Sequence, residues 1–410
     1  MFILLHPYKF TEFHHMHYEL DFFEKKLCTE IEIHDLSQII NPKWDKAFRL
    51  KRHKKAKRFN SIIEWDLYMK RLVQKKHNIV VFNNLDLNSF KSLVIQSKLS
   101  KYCKKIIKLD DPAQPNYWYE KKGNFSISNY KNKVLNVLKN PNSFKFFIKT
   151  KFLGFLCKFI VFDKIYNLYH GNSINFKPNL RCKKEFFVNI HSPDYSRMIS
   201  YNKKKIKIKK PFVIFLDGPG PHFINDYNLF GVKIKYDKKL WYSDLNKFLF
   251  KIEKTYSCKV IIVPHPKVKR SLNPYYSKKL KVCHDLDAAH KFIPISKFVI
   301  SIAASTAVGL ACASNKPIIL IYNDQIKKLN PSQLDYMKFM SKKYKTSLIN
   351  LNENDQNYLK KINKIKNKKI TYQYLSSKNI SKKKNYEIFN KILKGNYNSS
   401  KMNYNPSKIF

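Results

Sequence analysis

The residues best suited to chemistry stand in loops that follow short apolar runs. His265 sits between Pro264 and Pro266, with Lys267 next, directly after the run 260–263. The two prolines hold this loop extended and stop the preceding strand, so the imidazole is presented at the end of a sheet. There it can donate to a phosphate oxygen or, when protonated, offset charge on a departing phosphate. The plainer alternative is a histidine that caps a turn. Ser305 and Thr306 stand where the run 297–301 gives way to the small residues 307–313. Hydroxyls and free N–H groups at a helix N-terminus form a ready phosphate site, although an ordinary N-cap needs only one of them. Asp217, Gly218, Pro219 and Gly220 follow the run 212–216 and place two of the chain's eight glycines in one turn. That turn reads either as a binding loop or as a tight reversal. Asn323, Asp324 and Gln325 form a fourth polar loop with no distinctive signal. His14, His15, His17 and Glu19 could meet on one helical face, where a solvated polar face is preferred over a metal site.

These loops need a scaffold that brings them to one place. The run 211–216 is continuously apolar, as strands buried on both faces of a parallel sheet are, and the largely apolar runs 259–263, 297–301 and 317–321 follow it. Helical stretches lie between them, with Leu245, Phe248, Leu249 and Ile252 at helical spacing. Alternation of this kind predicts a doubly wound, Rossmann-like domain over 211–350, with ligands bound at the carboxyl ends of its strands. An analogous rhythm runs through 1–125. Strands are expected at 2–5, 30–34, 78–82 and 105–109, with helices at 16–27, 61–73 and 88–97. The stop at Asp110, Asp111 and Pro112 ends the last strand. Residues 126–210 then read as a helical and irregular connector, and 351–410 as a helical extension with a loose lysine-rich tail from 396. The expected fold class is α/β, two Rossmann-like domains facing a cleft.

Composition bounds the function. The 410 residues suit two domains, and 44% hydrophobic residues suffice to pack their cores. A formal net charge of +51 would ordinarily indicate nucleic acid or an anionic membrane. Only seven of the 80 basic residues are arginine, however, and a reader of phosphates or base edges gains from the guanidinium fork. Nucleic acid is therefore not an expected partner. Seven cysteines stand singly, without metal-ligand or redox spacing, which fits a reducing cytosol. The apolar run before His6 is too short for a signal peptide. Lysines interrupt 144–162 below the length of a membrane span, and because they spread around the helical wheel, a half-buried linker helix is expected over a membrane-surface one. Lys51, Arg52, Lys54, Lys55, Lys57 and Arg58 form the densest basic run that contains arginine. That run reads as a peripheral attachment to an anionic membrane surface or as a solvated loop.

His265-Pro266 after one strand and Ser305-Thr306 after another, in the second of two Rossmann-like domains, resemble motifs of bacterial GT-B glycosyltransferases, sialyltransferases among them. The stretches Leu5-His6-Pro7 with Asp21-Phe22, His191 to Tyr195 (HSPDY) and Phe215 to Asp217 are similar to surface-carbohydrate proteins of capsule and lipopolysaccharide assembly. The resemblance implies a cytoplasmic transferase, peripheral at the inner membrane face, that moves a sugar from a nucleotide-activated donor to a polysaccharide or lipid-linked acceptor. In it, the nucleotide-sugar is a substrate, and no cofactor or metal is required. The resemblance carries donor-phosphate contact over to His265, Ser305 and Thr306, with His265 also facing the leaving group, and the neighbouring loops add Lys267, Asp217, Gly218 and Gly220 as candidate donor-binding residues. The family's acidic pair followed by glycine, which supplies the general base, is matched here only by Asp110-Asp111-Pro112. Proline replaces the glycine, so Asp111 and Asp21 are rival bases. A nucleotide-sugar epimerase, a polyol-phosphate transferase and a non-catalytic basic protein that binds nucleic acid or anionic lipid are the alternatives.

Overall fold

The computed structural model describes residues 1–27, 29–42, 45, 51–76, 78–85, 89–109, 113–115, 141–171, 180–201, 210–218, 221, 234–265, 273–302, 306–353 and 368–395. Asp110, Asp111, Pro112, Gly220, Lys267, Ser305 and the tail from 396 lie outside them. So do the connector residues 116–140, 172–179 and 202–209.

Thirteen strands among the described residues form two sheets. The first contains β1 (Phe2–His6), β2 (Ile31–Asp35), β3 (Ala56–Arg58), β4 (Val80–Asn83), β5 (Lys105–Leu109), β6 (Val161–His170) and β7 (Arg181–Ile190), in the order β3-β2-β1-β4-β5-β6-β7. The second contains β8 (Phe212–Leu216), β9 (Lys259–Val263), β10 (Lys281–Val282), β11 (Val299–Ser301), β12 (Ile318–Tyr322) and β13 (Ser347–Asn350), in the order β10-β9-β8-β11-β12-β13. Every pairing in both sheets is parallel. In each sheet the chain first winds one way and then the other, so a switch point opens between β1 and β4 and again between β8 and β11. These are two Rossmann-like domains.

Helices cover both faces of each sheet. Those that matter below are α1 (Glu12–His17), α2 (Leu20–Lys26), α3 (Ile62–Lys75), α4 (Phe90–Tyr102), α5 (Pro141–Leu156), α6 (Pro193–Ser200), α7 (Lys238–Tyr256), α8 (Ala288–Phe292), α9 (Thr306–Ala313), α10 (Pro331–Tyr344) and α11 (Asn385–Leu393). Trp65 and Met69 of α3 and Leu93 and Leu99 of α4 pack on one face of the first sheet, against Ile3, Leu5 and Val81. In the second domain, Trp241, Leu245 and Leu249 of α7 cover Val213, Phe215 and Val260. Met337 and Met340 of α10 lie on the opposite face with Ile214 and Leu320. Burial on both faces explains why these strands read as unbroken apolar runs.

Two expectations are revised. The first sheet does not end near residue 125, because β6 and β7 from the expected connector extend it to Ile190. The helix expected over 16–27 is two helices, broken where Glu19 takes a left-handed φ of 56°. The helical extension expected after 351 includes α11 at Asn385–Leu393. This helix crosses to the first domain, where Ile388, Phe389 and Ile392 pack with Phe2, Phe23 and Phe82. Gly171 permits the crossing, since at φ +63° a Cβ would meet the Gln373 carbonyl oxygen at 2.2 Å.

The two domains are fastened by α6. Arg197 donates from Nε and Nη2 to Asp287 (2.6 and 3.2 Å) and from Nη1 and Nη2 to Asp21 (3.0 and 3.1 Å). Its Nη1 also donates to the Met16 carbonyl at 3.1 Å. Burial works against ionisation of Asp287, yet hydrogen bonds from Arg197 and Tyr201 hold its carboxyl below the usual range. Nearby, Asn385 donates to Glu19 at 2.7 Å. Burial pushes the Glu19 carboxyl up to about 7 despite hydrogen bonds from Ser196 and Asn385. Removing the shared cation strands two carboxylates, so Arg197→Ala should cost about 3–5 kcal/mol. Arg197→Lys should recover only part of this, because an ammonium cannot span both carboxylates with paired donors. Denaturant midpoints of the three proteins check this, and a loss below about 1 kcal/mol in Arg197→Ala would contradict the fastening role.

Candidate functional site

Between the two domains lies a cleft of about 430 Å³ at the carboxyl ends of the second sheet's strands. Four donor-side residues expected from sequence meet in its wall: Asp217 and Gly218 after β8, His265 after β9 and Thr306 opening α9 beyond β11. This placement follows from strand order. β9, β8 and β11 are neighbours, so loops far apart in sequence emerge side by side. The switch point is where such loops diverge and leave room for a ligand.

The opposite wall comes from α1 and α6. Ser192 caps α6, its Oγ accepting from the Tyr195 N–H at 3.3 Å, and Pro193 fits the first turn because it needs no N–H partner there. That start aims Asp194 into the cleft, where three groups from both domains converge on it. Thr306 Oγ1 donates to Asp194 Oδ2 at 2.7 Å. His290 Nε2 of α8 lies 3.2 Å from Oδ1, and His17 Nδ1 of α1 lies 3.5 Å from the same oxygen. Burial alone would raise the Asp194 pKa. The nearby His17 imidazole and the hydrogen bond from His290 outweigh it and hold the carboxyl well below its ordinary value. A fixed anion thus sits beside two imidazoles at the domain boundary. His17 is stacked on Phe13, also in the wall, with ring centroids 5.6 Å apart.

Asp217 is the opposite case. It is buried, Tyr276 donates to its Oδ2 at 2.5 Å, and its Oδ1 has no hydrogen-bond partner among the described residues. Burial pushes its carboxyl up to about 7, with the Tyr276 hydrogen bond only partly opposing this. The cleft therefore holds one carboxylate kept charged and one poised to change its proton near neutrality.

The remaining expected residues divide. Asp21 is engaged by Arg197 in the interdomain fastening. Asp111, Lys267, Ser305 and Gly220 lie outside the described residues. The sequence reading assigned His17 no role in the cleft and gave Asp194 none beyond the resemblance, and His290 it missed entirely. The only signal for Asp194 was the HSPDY stretch. The histidines of α1 do not share a solvated face as expected, because the helix is wedged between domains. His14 hydrogen-bonds Thr11, His17 faces the cleft, and His15 stacks on His53 with centroids 4.3 Å apart. Glu12, His15 and His53 bring ligand-type atoms within 4.8 Å of one another. Their imidazoles already pair with carboxylates, His15 with Glu24 and His53 with Glu12, both at 3.2 Å. The cluster does not line the cleft.

The Asp217 geometry fixes a pH dependence. A buried acid whose folded pKa is raised binds more protons folded than unfolded between about pH 4 and 7, so it lowers stability as pH rises through that window. Asp217→Asn should remove that loss, and the variant should gain on the native protein from pH 5 to pH 8. Denaturant midpoints at the two pH values measure the change, and parallel pH profiles would contradict it.

No family model and no curated protein matches the chain. Among solved structures it is similar to the wall teichoic acid polymerase TagF, at 11% identity and a TM-score of 0.48 over 97% of this chain and 90% of that one. It is also similar to MurG of Acinetobacter baumannii, at 7% identity and a TM-score of 0.42 over 96% and 99%, and to the spinosyn forosaminyltransferase SpnP, at 9% identity and a TM-score of 0.40 over 96% and 95%.

Proposed function

We propose that the chain is a glycosyltransferase that moves a sugar from a nucleotide-activated donor to a glycan or lipid-linked acceptor in surface polysaccharide assembly. The observation that carries this reading is the meeting of His265 and Thr306 with the His17–Asp194 pair in one interdomain cleft. The first two suit the donor phosphates. The N–H groups opening α9 and the His265 imidazole would face the phosphate oxygens, with Ser305, Lys267, Gly218 and Gly220 completing the cradle. These groups are cationic or N–H donors, so the reading assigns no metal to the donor.

The acceptor hydroxyl must lose a proton as it attacks the anomeric carbon. His17 is the base that the geometry favours. It comes from the first domain, lines the cleft and is oriented by an ionised carboxylate, which also stabilises the imidazolium formed on proton transfer. Asp21 is less suited because Arg197 occupies both of its oxygens. In this scheme the C–O bond to the donor phosphate breaks as the acceptor–carbon bond forms, and the nucleotide leaves towards His265.

Thermal-shift measurements against CMP, UDP, GDP and CDP test the donor site directly. At least one should raise the melting temperature, and His265→Ala should weaken that nucleotide by about 1.5–3 kcal/mol. His17→Ala should leave nucleotide affinity within about threefold while reducing turnover by about 10²–10⁴. No shift with any nucleotide, or full turnover in His17→Ala, would overturn the assignment.

A further inference from the structure

Helix α5 and the single 3₁₀ turn after it (Cys157–Phe159) carry apolar residues on two opposite faces. The inner face is conventional, with Leu153, Cys157 and Ile160 buried in the first domain's core beside α4. The outer face is not. Ile148, Phe152, Phe155 and Phe159 are 51%, 57%, 54% and 71% exposed, and Val161 at the start of β6 is 45% exposed. Spaced by four, three and four residues, the first four lie within about 60° of one another on a helix of 3.6 residues per turn. The rings of Phe155 and Phe159 touch edge to face, with centroids 5.3 Å apart. Four large apolar side chains in one outward stripe, with Val161 exposed just beyond it in the chain, exceed the scattered exposure of an ordinary soluble surface.

The surroundings of the stripe are basic. Lys149, Lys151 and Lys158 are exposed and fall on its two flanks at helical spacing. Arg181, exposed at the start of the edge strand β7, is paired in register with Val161. The acids on these strands are already engaged, Asp163 with Lys183 at 2.8 Å and Glu185 with Asn167 at 2.6 Å. An aromatic ridge between rows of long cations is the pattern of a surface that rests in a headgroup layer, rings inward and ammonium groups among the phosphates. A second copy of the chain is a poor occupant, because it would bring another net charge of +51 against the same cations.

We propose that the outward face of α5, led by Phe152, Phe155 and Phe159 and flanked by Lys149, Lys151, Lys158 and Arg181, is a docking surface for an anionic lipid bilayer. It is a better anchor than the basic run at 51–58, where Arg52 pairs with Asp35 and Asp45, Lys55 with Glu24 and Lys57 with Glu32. Nor is a spanning segment required, and no helix among the described residues is long and apolar enough to cross a membrane. The inference is independent of the reaction assigned to the cleft.

Sedimentation with phosphatidylcholine vesicles, with and without phosphatidylglycerol, tests the proposal on the full chain. The native protein should bind the anionic vesicles. The triple variant Phe152→Ser, Phe155→Ser, Phe159→Ser should bind at least about tenfold more weakly, with an unchanged melting temperature because these side chains leave the core intact. In a separate variant, Phe155→Trp, the added fluorescence should shift to the blue on anionic vesicles and be quenched by lipids brominated along the acyl chain. Equal binding by the triple variant, or a Trp at 155 that bromolipids do not quench, would overturn the proposal. So would a dimer in sedimentation equilibrium that the same three substitutions dissolve.

Discussion

The arrangement of the whole molecule depends on how Arg197 shares its guanidinium between Asp21 of the first domain and Asp287 of the second. A planar fork can satisfy two carboxylates at once, which an ammonium cannot do with the same geometry. The residue sits on α6, the helix that begins where the first sheet ends, three positions after Asp194. Fixing Arg197 against both domains therefore fixes the height at which Asp194 enters the cleft. From there the anion gathers His17, His290 and Thr306, drawn from α1, α8 and α9. An ionic fastening and a polar site are thus built on successive turns of one short helix.

Two electrostatic solutions coexist a short way apart. Asp194 is surrounded by donors and is held below the usual carboxylate range despite burial, whereas Asp217 has Tyr276 as its one donor among the described residues and is pushed up by burial. The difference follows from what each strand end offers. Asp194 stands at a domain boundary where side chains converge from several elements, while Asp217 closes a central strand whose neighbours are apolar. Sites that must hold a phosphate and move a proton use such contrasts, since one environment cannot serve both tasks. The cost is a buried carboxyl oxygen uncompensated among the described residues, which a packed apolar core would not carry.

Much of this was legible in the sequence, for reasons that also explain what was not. β9 was legible to the residue because a strand buried on both faces leaves an apolar run between polar turns, and β5 because Ile106 and Ile107 stand ahead of a proline stop. The strand ends followed from those runs, and with them His265, Thr306, Asp217 and Gly218. β6 and β7 were hidden. VFDKIYNLYH and RCKKEFFVNI lie near one margin of the sheet, where lysine, asparagine and tyrosine are tolerated and the alternation blurs. The break between α1 and α2 rests on a single left-handed Glu19, held by partners such as Asn385 that lie near the far end of the chain. His17, Asp194 and His290 were illegible as a set for the same reason. Periodicity reports the neighbours of a residue along its own helix or strand, and these three meet only after both domains have folded and docked. α5 is partly buried through Leu153, as expected, and its exposed lysines spread to two sides of the helix. They flank an apolar stripe that faces outward as well as one that faces in.

The central claim is that a nucleotide-activated donor lies across the switch point of the second sheet, with its phosphates at the ends of β8, β9 and β11. Crystallographic electron density for the protein soaked with its preferred nucleotide measures this most directly. The account predicts phosphate oxygens within hydrogen-bond reach of the His265 imidazole and of the first N–H groups of α9, with the open side of the ligand facing His17 and Asp194. A nucleotide bound elsewhere, or one whose phosphates point into solvent while its base alone occupies the cleft, would contradict it.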